Sequence, residues 1–151
     1  MAAEQFQTPA DVERSKACIY RFAKSFNYGV HGLGGQYSRL DYFGVPHDPA
    51  GKPVWFDVRT RNHKFGSFAT LFLSVGKWRE GVTMAQTTGA EFIVLVGYED
   101  GDYAYVFDPK DLSERRIYME YGGRTNDTRV PQDIEPVVHI PVNLFKKVWS
   151  P

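Results

Sequence analysis

Three charged residues stand inside two apolar stretches of the sequence: Asp41 in QYSRLDYFGV, and Asp57 with Arg59 in PVWFDVRTR. Because side chains alternate between the faces of a strand, Asp57 and Arg59 are predicted to share one face while the apolar residues take the other. Phosphodiester hydrolysis with a hard divalent cation needs carboxylate oxygens on rigid backbone and a cationic side chain beside them. The two aspartates and the arginine are candidates for these roles.

The elements that must position these residues are two neighbouring strands, which are predicted to pair antiparallel across HDPAGK, a segment with the composition of a hairpin loop. A helix is predicted before them, because Thr8 can cap it, Pro9 suits its first position and Asp11 completes a capping box. Apolar residues then recur at helical spacing as far as Phe26. The glycine-rich segment NYGVHGLGG, between the helix and the strands, favours an irregular loop.

Further strands and one more helix are predicted in the rest of the chain. ATLFLS is short and extended, and Ser74 caps a helix through VGKWREGVTMAQTTG that ends near Gly89. EFIVLVGYE lacks alternation, which predicts a central strand covered on both faces, and EDGD predicts a hairpin turn into YAYVFD. RRIYMEY and VVHIPV are predicted outer strands, separated by the long loop GGRTNDTRVPQDIEP.

The predicted order of elements is α-β-β-(β)-α-β-β, which indicates an α/β or α+β fold with a mixed central sheet flanked by helices. The 151 residues are expected to form a single domain, with a core at about residues 8–108 and a C-terminal extension of strands and loop at 109–151.

Composition narrows the classes of function. Eighteen basic and eighteen acidic residues cancel, so a nucleic-acid contact must depend on a local patch. Cys18 is the single cysteine and the four histidines lack metal-binding spacing, which argues against a disulfide and a zinc site. The N-terminus resembles no targeting peptide and no apolar run is long enough to span a bilayer. An intracellular, cytoplasmic protein without a membrane partner is expected.

The same residues, taken in order, resemble the PD-(D/E)xK nuclease superfamily, which has a restriction-endonuclease-like fold. The resemblance rests on Glu13 in DVERSK, Asp41 in SRLDYF and the segment FDVRTR, and it covers approximately residues 8–108. It is nearest to small phage-encoded members, as judged from DVRTRN, FATLFLS, SVGKW and the tail GGRTNDTRVPQDIEPVVHIPV. The resemblance implies that Asp41 and Asp57, with Glu13, hold magnesium or manganese.

One position departs from the family pattern, because Arg59 stands where the pattern has lysine. A guanidinium stabilises charge on a phosphate but is a poor proton-transfer group, whereas a lysine ammonium can orient water. Three outcomes are open: Arg59 substitutes with reduced activity, Lys64 or Lys77 moves into the space, or the site only binds. Arg61, Lys64 and Lys77 are also candidates for a nucleic-acid-binding rim.

The leading interpretation is a metal-dependent nuclease-like protein, phage-encoded, that acts on DNA through Asp41, Asp57 and Arg59, in the host cytoplasm or as part of the virion. The alternative is an inactive domain on the same fold that serves as a nucleic-acid-binding or assembly component. A plain protein-interaction module would instead expose a large apolar patch. Purely structural roles are the alternative for these residues. Asp57 and Arg59 also fit an intrastrand ion pair, and Arg61 and Lys64 also fit a solvated strand edge. The oligomeric state is left open.

Overall fold

Two β-sheets and two long helices form the part of the chain that the computed structural model describes, which is residues 8–34, 38–123 and 134–151. The helices are α1 (Pro9–Phe26), α2 (Val75–Thr88) and the four-residue α3 (Lys110–Ser113), and a 3-10 turn spans Val142–Leu144. The strands are β1 (Tyr28–Gly32), β2 (Tyr42–Pro46), β3 (Val54–Thr60), β4 (Thr70–Ser74), β5 (Glu91–Tyr98), β6 (Gly101–Val106), β7 (Tyr118–Gly123), β8 (Ile134–Pro141) and β9 (Lys146–Trp149).

The larger sheet has the strand order β1-β2-β3-β5-β6-β9. Its β3 and β5 run parallel and its other neighbours run antiparallel. The predicted mixed sheet is therefore confirmed, as are the β2–β3 hairpin and the central position of β5. Strand β9 pairs with β6, so the C-terminal segment completes an edge of this sheet.

Helix α1 covers one face of the larger sheet. It begins with the predicted capping box between Thr8 and Asp11 and ends at Asn27, whose φ is 60°. Its fully buried Cys18 and Ile19 pack with Phe56 of β3 in one apolar cluster. Burial of this apolar face is what holds the helix on the sheet.

Helix α2 covers the opposite face. The side chain of Ser74 caps it by accepting a hydrogen bond from the backbone N–H of Lys77, and Gly89 ends it in the left-handed conformation with φ of 75°. Trp78 is buried and contacts Phe92 edge-on, with ring centroids 6.0 Å apart. The predicted start and end of this helix are confirmed.

The second sheet has the order β4-β8-β7 and runs antiparallel throughout. Its β4 is the predicted extended segment ATLFLS, and β7 and β8 are the predicted outer strands. Most of the predicted long loop, residues 124–133, lies outside the described residues. The sheet packs its buried Leu73 and Val138 into the same apolar cluster as Trp78.

Two predictions about the first strands were wrong. NYGVHGLGG was expected to be an irregular loop, but Tyr28–Gly32 forms β1, which pairs with β2 in register from Tyr28 opposite Pro46 to Gly32 opposite Tyr42. Long-range pairing outweighs the weak strand preference of glycine here. The expected strand QYSRLDYFGV begins only at Tyr42, and its Gln36 and Tyr37 lie outside the described residues. Four strands therefore precede α2, where two or three were predicted.

Among the described residues, no helix is long and apolar enough to cross a membrane.

Candidate active site

The β2–β3 pairing brings Asp41 to Asp57. The backbone N–H of Asp41 donates to the carbonyl oxygen of Phe56 at 2.9 Å, and its Oδ2 accepts from the backbone N–H of Val58 at 2.8 Å. Asp41 therefore bonds to both neighbours of Asp57 and lies opposite it across the strand pair. The bond to Val58 fixes one carboxylate oxygen of Asp41 in place of a ladder hydrogen bond.

Asp57 and Arg59 share one face of β3, as the alternation of the strand predicted. Arg59 donates from Nε to Oδ2 of Asp57 at 2.8 Å and from Nη2 to Oδ1 at 3.3 Å. Asp57 is fully buried and the Arg59 side chain is 18% exposed. The third nitrogen, Nη1, donates to the carbonyl oxygen of Phe72 in β4 at 3.3 Å, so Arg59 also connects the two sheets.

Lys77 contacts the same aspartate from a different element. Its Nζ lies 3.5 Å from Oδ1 of Asp57, and its side chain is 12% exposed. The Ser74 cap places Lys77 in the first turn of α2, and α2 packs directly over β3. Of the two lysines that the sequence offered as replacements, Lys77 reaches the acidic pair, whereas Lys64 is exposed in the loop after β3.

The two carboxylates have different electrostatics. Burial acts to raise the pKa of Asp57, but the charges of Arg59 and Lys77 outweigh it, and the net shift is downward. Burial and then the charge of Asp57 raise the pKa of Asp41 to about 6, against the opposing effects of Lys77 and Arg59. The charge of Asp57 acts on Asp41 because the two carboxylates are neighbours, and Arg59 and Lys77 offset it only in part. A further cation at Asp41 would favour its ionised form.

Asp41 is the carboxylate that opens to the surface. It is half-buried and lines a polar cleft of about 250 Å³ together with Arg39 and Tyr42. Its Oδ1 receives no hydrogen bond from the described part of the chain. Asp57, in contrast, lies beneath the surface with both oxygens held by Arg59. An ion or a phosphate must therefore approach from the side of Asp41.

A magnesium or manganese ion fits this donor set. Magnesium is commonly held by one or two carboxylates, with water and substrate phosphate as the remaining ligands. The Oδ1 of Asp41, which accepts no hydrogen bond from the described residues, is available as such a ligand beside the polar cleft. No group of three or more His, Cys, Asp or Glu residues that could hold a metal occurs within residues 8–34, 38–123 and 134–151.

Glu13 is not brought to this pair. It lies on α1, over the opposite face of the sheet from Lys77, and its side chain is 74% exposed. Its Oε1 lies 3.7 Å from Nζ of Lys16, one turn along the helix. The structure thus places Asp41, Asp57, Arg59 and Lys77 together and leaves Glu13 apart.

Arg61 lies just beyond β3, on the side of the second sheet. It donates from Nη1 to the carbonyl oxygen of Thr60 at 2.9 Å, and burial together with the nearby charge of Arg59 lowers its pKa to about 10. It lines a second cleft with several aromatic side chains, including Phe68 and Tyr118. The sequence interpretation missed these aromatic residues. Phe68 and Phe72, which follow closely after the basic segment RNHK, were a signal in the sequence, but this segment was interpreted only as a charged rim or a solvated strand edge.

Comparisons with known proteins agree with this architecture. A family model described as "Phage putative PDDEXK endonuclease" matches residues 1–148. Among solved structures, the chain is similar to Hjc, a Holliday junction resolvase from the archaeal hyperthermophile Archaeoglobus fulgidus, with a TM-score of 0.53 and 15% identity over 87% of this chain and 94% of that chain. At this identity the likeness shows a shared fold. No curated protein matches the sequence.

Proposed function

The chain belongs to the phage PDDEXK endonuclease family, and from this membership we propose that it hydrolyses phosphodiester bonds in DNA with Mg²⁺ or Mn²⁺ held by Asp41 and Asp57. The observation that carries the proposal is the position of Asp41 directly opposite Asp57, with Arg59 and Lys77 against the same carboxylate. A nuclease needs this combination of acidic ligands and cationic side chains at one place.

The acidic pair supplies the ligands. Asp41 and Asp57 would hold a divalent cation, which would supply Lewis-acid polarisation of the phosphate and a more acidic attacking water when bound. Asp41 lines the polar cleft, where the scissile phosphate enters, and the bond from Val58 keeps the carboxylate oriented. Asp57 anchors the site from below, since it is fully buried and fixed on the central part of the sheet.

The two cations have separate roles. Arg59 is held by Asp57 and by the Phe72 carbonyl oxygen, so its guanidinium is oriented in advance and stabilises the charge that develops on the phosphate. Lys77 carries a compact ammonium, which suits it to orient the attacking water. In this assignment Lys77 takes over the role that a lysine at position 59 would have.

A second candidate function is favoured by one observation. Both oxygens of Asp57 are already engaged by Arg59, an arrangement that neutralises the carboxylate without a metal ion. On this view the domain binds nucleic acid or serves in virion assembly without cleaving. Either role is compatible with an origin in the phage, and with a location in the host cytoplasm or the virion.

The deciding experiment incubates the purified protein with supercoiled plasmid and with single-stranded DNA, in Mn²⁺, in Mg²⁺ and in EDTA. Asp41→Asn and Asp57→Asn test the acidic pair, and Asp48→Asn, an exposed aspartate in the β2–β3 loop, is the matched control. Thermal melting of each variant shows whether the protein is folded. Isothermal titration with Mn²⁺ gives a readout that does not depend on turnover.

We expect cleavage by the wild type and by Asp48→Asn in metal only, and loss of both cleavage and Mn²⁺ binding in folded Asp41→Asn. DNA binding by a folded wild type that cleaves under none of these conditions would favour the inactive domain. Cleavage that persists in Asp41→Asn would place the metal elsewhere.

A further inference from the structure

A second cleft, of about 340 Å³, lies between the loop after β3 and the smaller sheet. We call it the aromatic cleft and define it by Arg61, His63, Phe68, Phe72, Tyr98 and Tyr118. Its volume is within the range of small-ligand sites, roughly 300–1,000 Å³. It is separate from the polar cleft at Asp41, whose lining shares no residue with it.

Three aromatic rings of this cleft are exposed to an unusual degree. Phe68 is 64% exposed, Tyr118 48% and Phe72 46%. Exposed apolar side chains are ordinary when scattered, but several around one concave site indicate a binding surface. Flat aromatic faces in particular are the surfaces on which unpaired bases stack.

Two histidines hold these rings in place. The ring of His139 stacks on Tyr118, with centroids 4.7 Å apart and planes at 5°, and Thr70 Oγ1 lies 2.8 Å from His139 Nδ1. His63 packs edge-on against Phe68 at 4.9 Å. The rings are therefore oriented before any ligand arrives, which reduces the entropy lost on binding.

Arg61 provides the positive charge that this surface needs for a nucleic acid. Among the ion pairs of the described residues, none includes Arg61. Its guanidinium remains charged at neutral pH and its Nη1 is fixed by the Thr60 carbonyl oxygen, so its other nitrogens can donate to a phosphate. Aromatic faces beside a guanidinium match a nucleotide better than they match a purely apolar peptide.

The aromatic cleft is connected to the candidate active site through one side chain. Arg59 bonds to Asp57 with two nitrogens and to the backbone carbonyl of Phe72 with the third. The guanidinium of Arg59 therefore links the cleft wall at Phe72 to the acidic pair. This link places the aromatic cleft on the side of Arg59 where β4 lies.

We propose that the aromatic cleft binds an unpaired base of the DNA strand that enters the active site, so that the preferred substrate has a single-stranded segment next to the scissile phosphate. This inference deepens the proposed function and rests on it for the position of the phosphate. In a duplex the base faces are covered by their neighbours, and flipping a base out costs unpairing and unstacking energy, so a single strand, an open end or a branch offers a base to this cleft at the lowest cost.

The test measures binding in EDTA, where cleavage does not contribute, to a single-stranded oligonucleotide carrying 2-aminopurine and to the matching blunt duplex. Phe68→Leu and Tyr118→Leu remove an aromatic face while keeping apolar bulk. Phe26→Leu is the matched control, because Phe26 is 47% exposed and lies on α1, over the opposite face of the sheet.

We expect the wild type to bind the single strand more tightly than the duplex and to quench 2-aminopurine fluorescence. Each cleft variant should weaken single-strand binding by about fivefold or more, the lower end of the loss of one stacked base, and leave duplex binding unchanged. The control should bind like the wild type. Unchanged single-strand affinity in both cleft variants, or an equal loss for strand and duplex, would overturn the proposal.

Failure of the cleft and failure of the proposed hydrolysis give different results. If the protein cleaves DNA with metal but the cleft variants change neither binding nor strand preference, the proposed hydrolysis is supported and base binding in the aromatic cleft is contradicted. If the cleft variants lose single-strand binding selectively but the wild type cleaves under no condition, base binding in the aromatic cleft is supported and the proposed hydrolysis is contradicted.

Discussion

Lys77 of helix α2 places its ammonium nitrogen 3.5 Å from Oδ1 of Asp57 in strand β3, twenty residues earlier in the chain. Arg59 holds the same carboxylate from within the strand. Two cations of different chemistry therefore face one aspartate, a fixed guanidinium from the sheet and a compact ammonium from the helix. In the proposed nuclease, this relationship would allow an arginine to stand at position 59, because Lys77 supplies the ammonium.

Replacing Lys77 by methionine should remove the ammonium while keeping the length of the side chain. We expect the cleavage rate at saturating DNA to fall by roughly 100-fold or more, the usual effect of losing a group that handles a proton. Single-turnover kinetics in Mn²⁺ check this. Lys24→Met, on an exposed position of α1, is the matched control and should cleave at the wild-type rate. An unchanged rate in Lys77→Met would exclude the role given to it.

Replacing Arg59 by methionine should destabilise the fold as well as the site, because the buried charge of Asp57 would keep only the longer contact to Lys77. The expected loss in the free energy of unfolding is about 3–5 kcal/mol, as for other buried ion pairs that lose one partner. Urea denaturation followed by tryptophan fluorescence measures it.

The double variant Asp57→Asn with Arg59→Met removes both charges and should recover part of that loss. A coupling of roughly 0.5–3 kcal/mol between the two positions is expected in the mutant cycle. If the losses in free energy of unfolding of the two single variants simply add in the double variant, the interaction between Asp57 and Arg59 contributes nothing to stability.

The N-terminal cap of α1 should make stability depend on pH. The side chain of Arg14 and then the backbone and side chain of Thr8 lower the pKa of Asp11 below its unfolded value of 3.8. This stabilisation is therefore present above about pH 4 and is lost as the pH falls through the lowered folded value. Asp11→Asn should be less stable than the wild type at pH 7, and the difference should shrink at pH 2.5.

NMR titration of the Asp11 carboxyl carbon checks the cause directly. In Arg14→Met the pKa of Asp11 should rise toward its ordinary value, since the largest stabilising contact is gone. An equal stability difference between wild type and Asp11→Asn at both pH values would contradict this account.

Two glycines of α2 should respond oppositely to alanine. A Cβ at Gly81 would lie 2.4 Å from ring atoms of the buried Phe92, so Gly81→Ala should cost about 1–3 kcal/mol of stability through overpacking. A Cβ at Gly76 would meet only the end of the flexible Arg39 side chain, at 2.7 Å. Gly76→Ala should be neutral or stabilising, because alanine is the better helix former. Thermal melting of the two variants gives the comparison, and similar melting temperatures would refute it.

The sequence predicted well wherever the signal was local. The capping residues Thr8 and Ser74 and the terminal Gly89 marked both long helices, because capping needs side chains only a few residues apart. The unbroken apolar run EFIVLVGYE indicated the central strand β5, and alternation placed Asp57 and Arg59 on one face. Sequence failed at β1, where glycines suggested a loop and distant pairing with β2 made a strand.

For the candidate site, too, local features could be predicted from the sequence and contacts between distant elements could not. The sequence by itself indicated the family, the strand with Asp57 and Arg59, and two candidates for a replacement lysine, Lys64 and Lys77. Only the tertiary structure decided that Lys77 contacts the acidic pair, that Glu13 lies apart, and that exposed aromatic rings of the loop after β3 and of the second sheet line one cleft. The physical reason is that capping and alternation act over neighbouring residues, whereas these contacts depend on how α2 and the second sheet pack against β3.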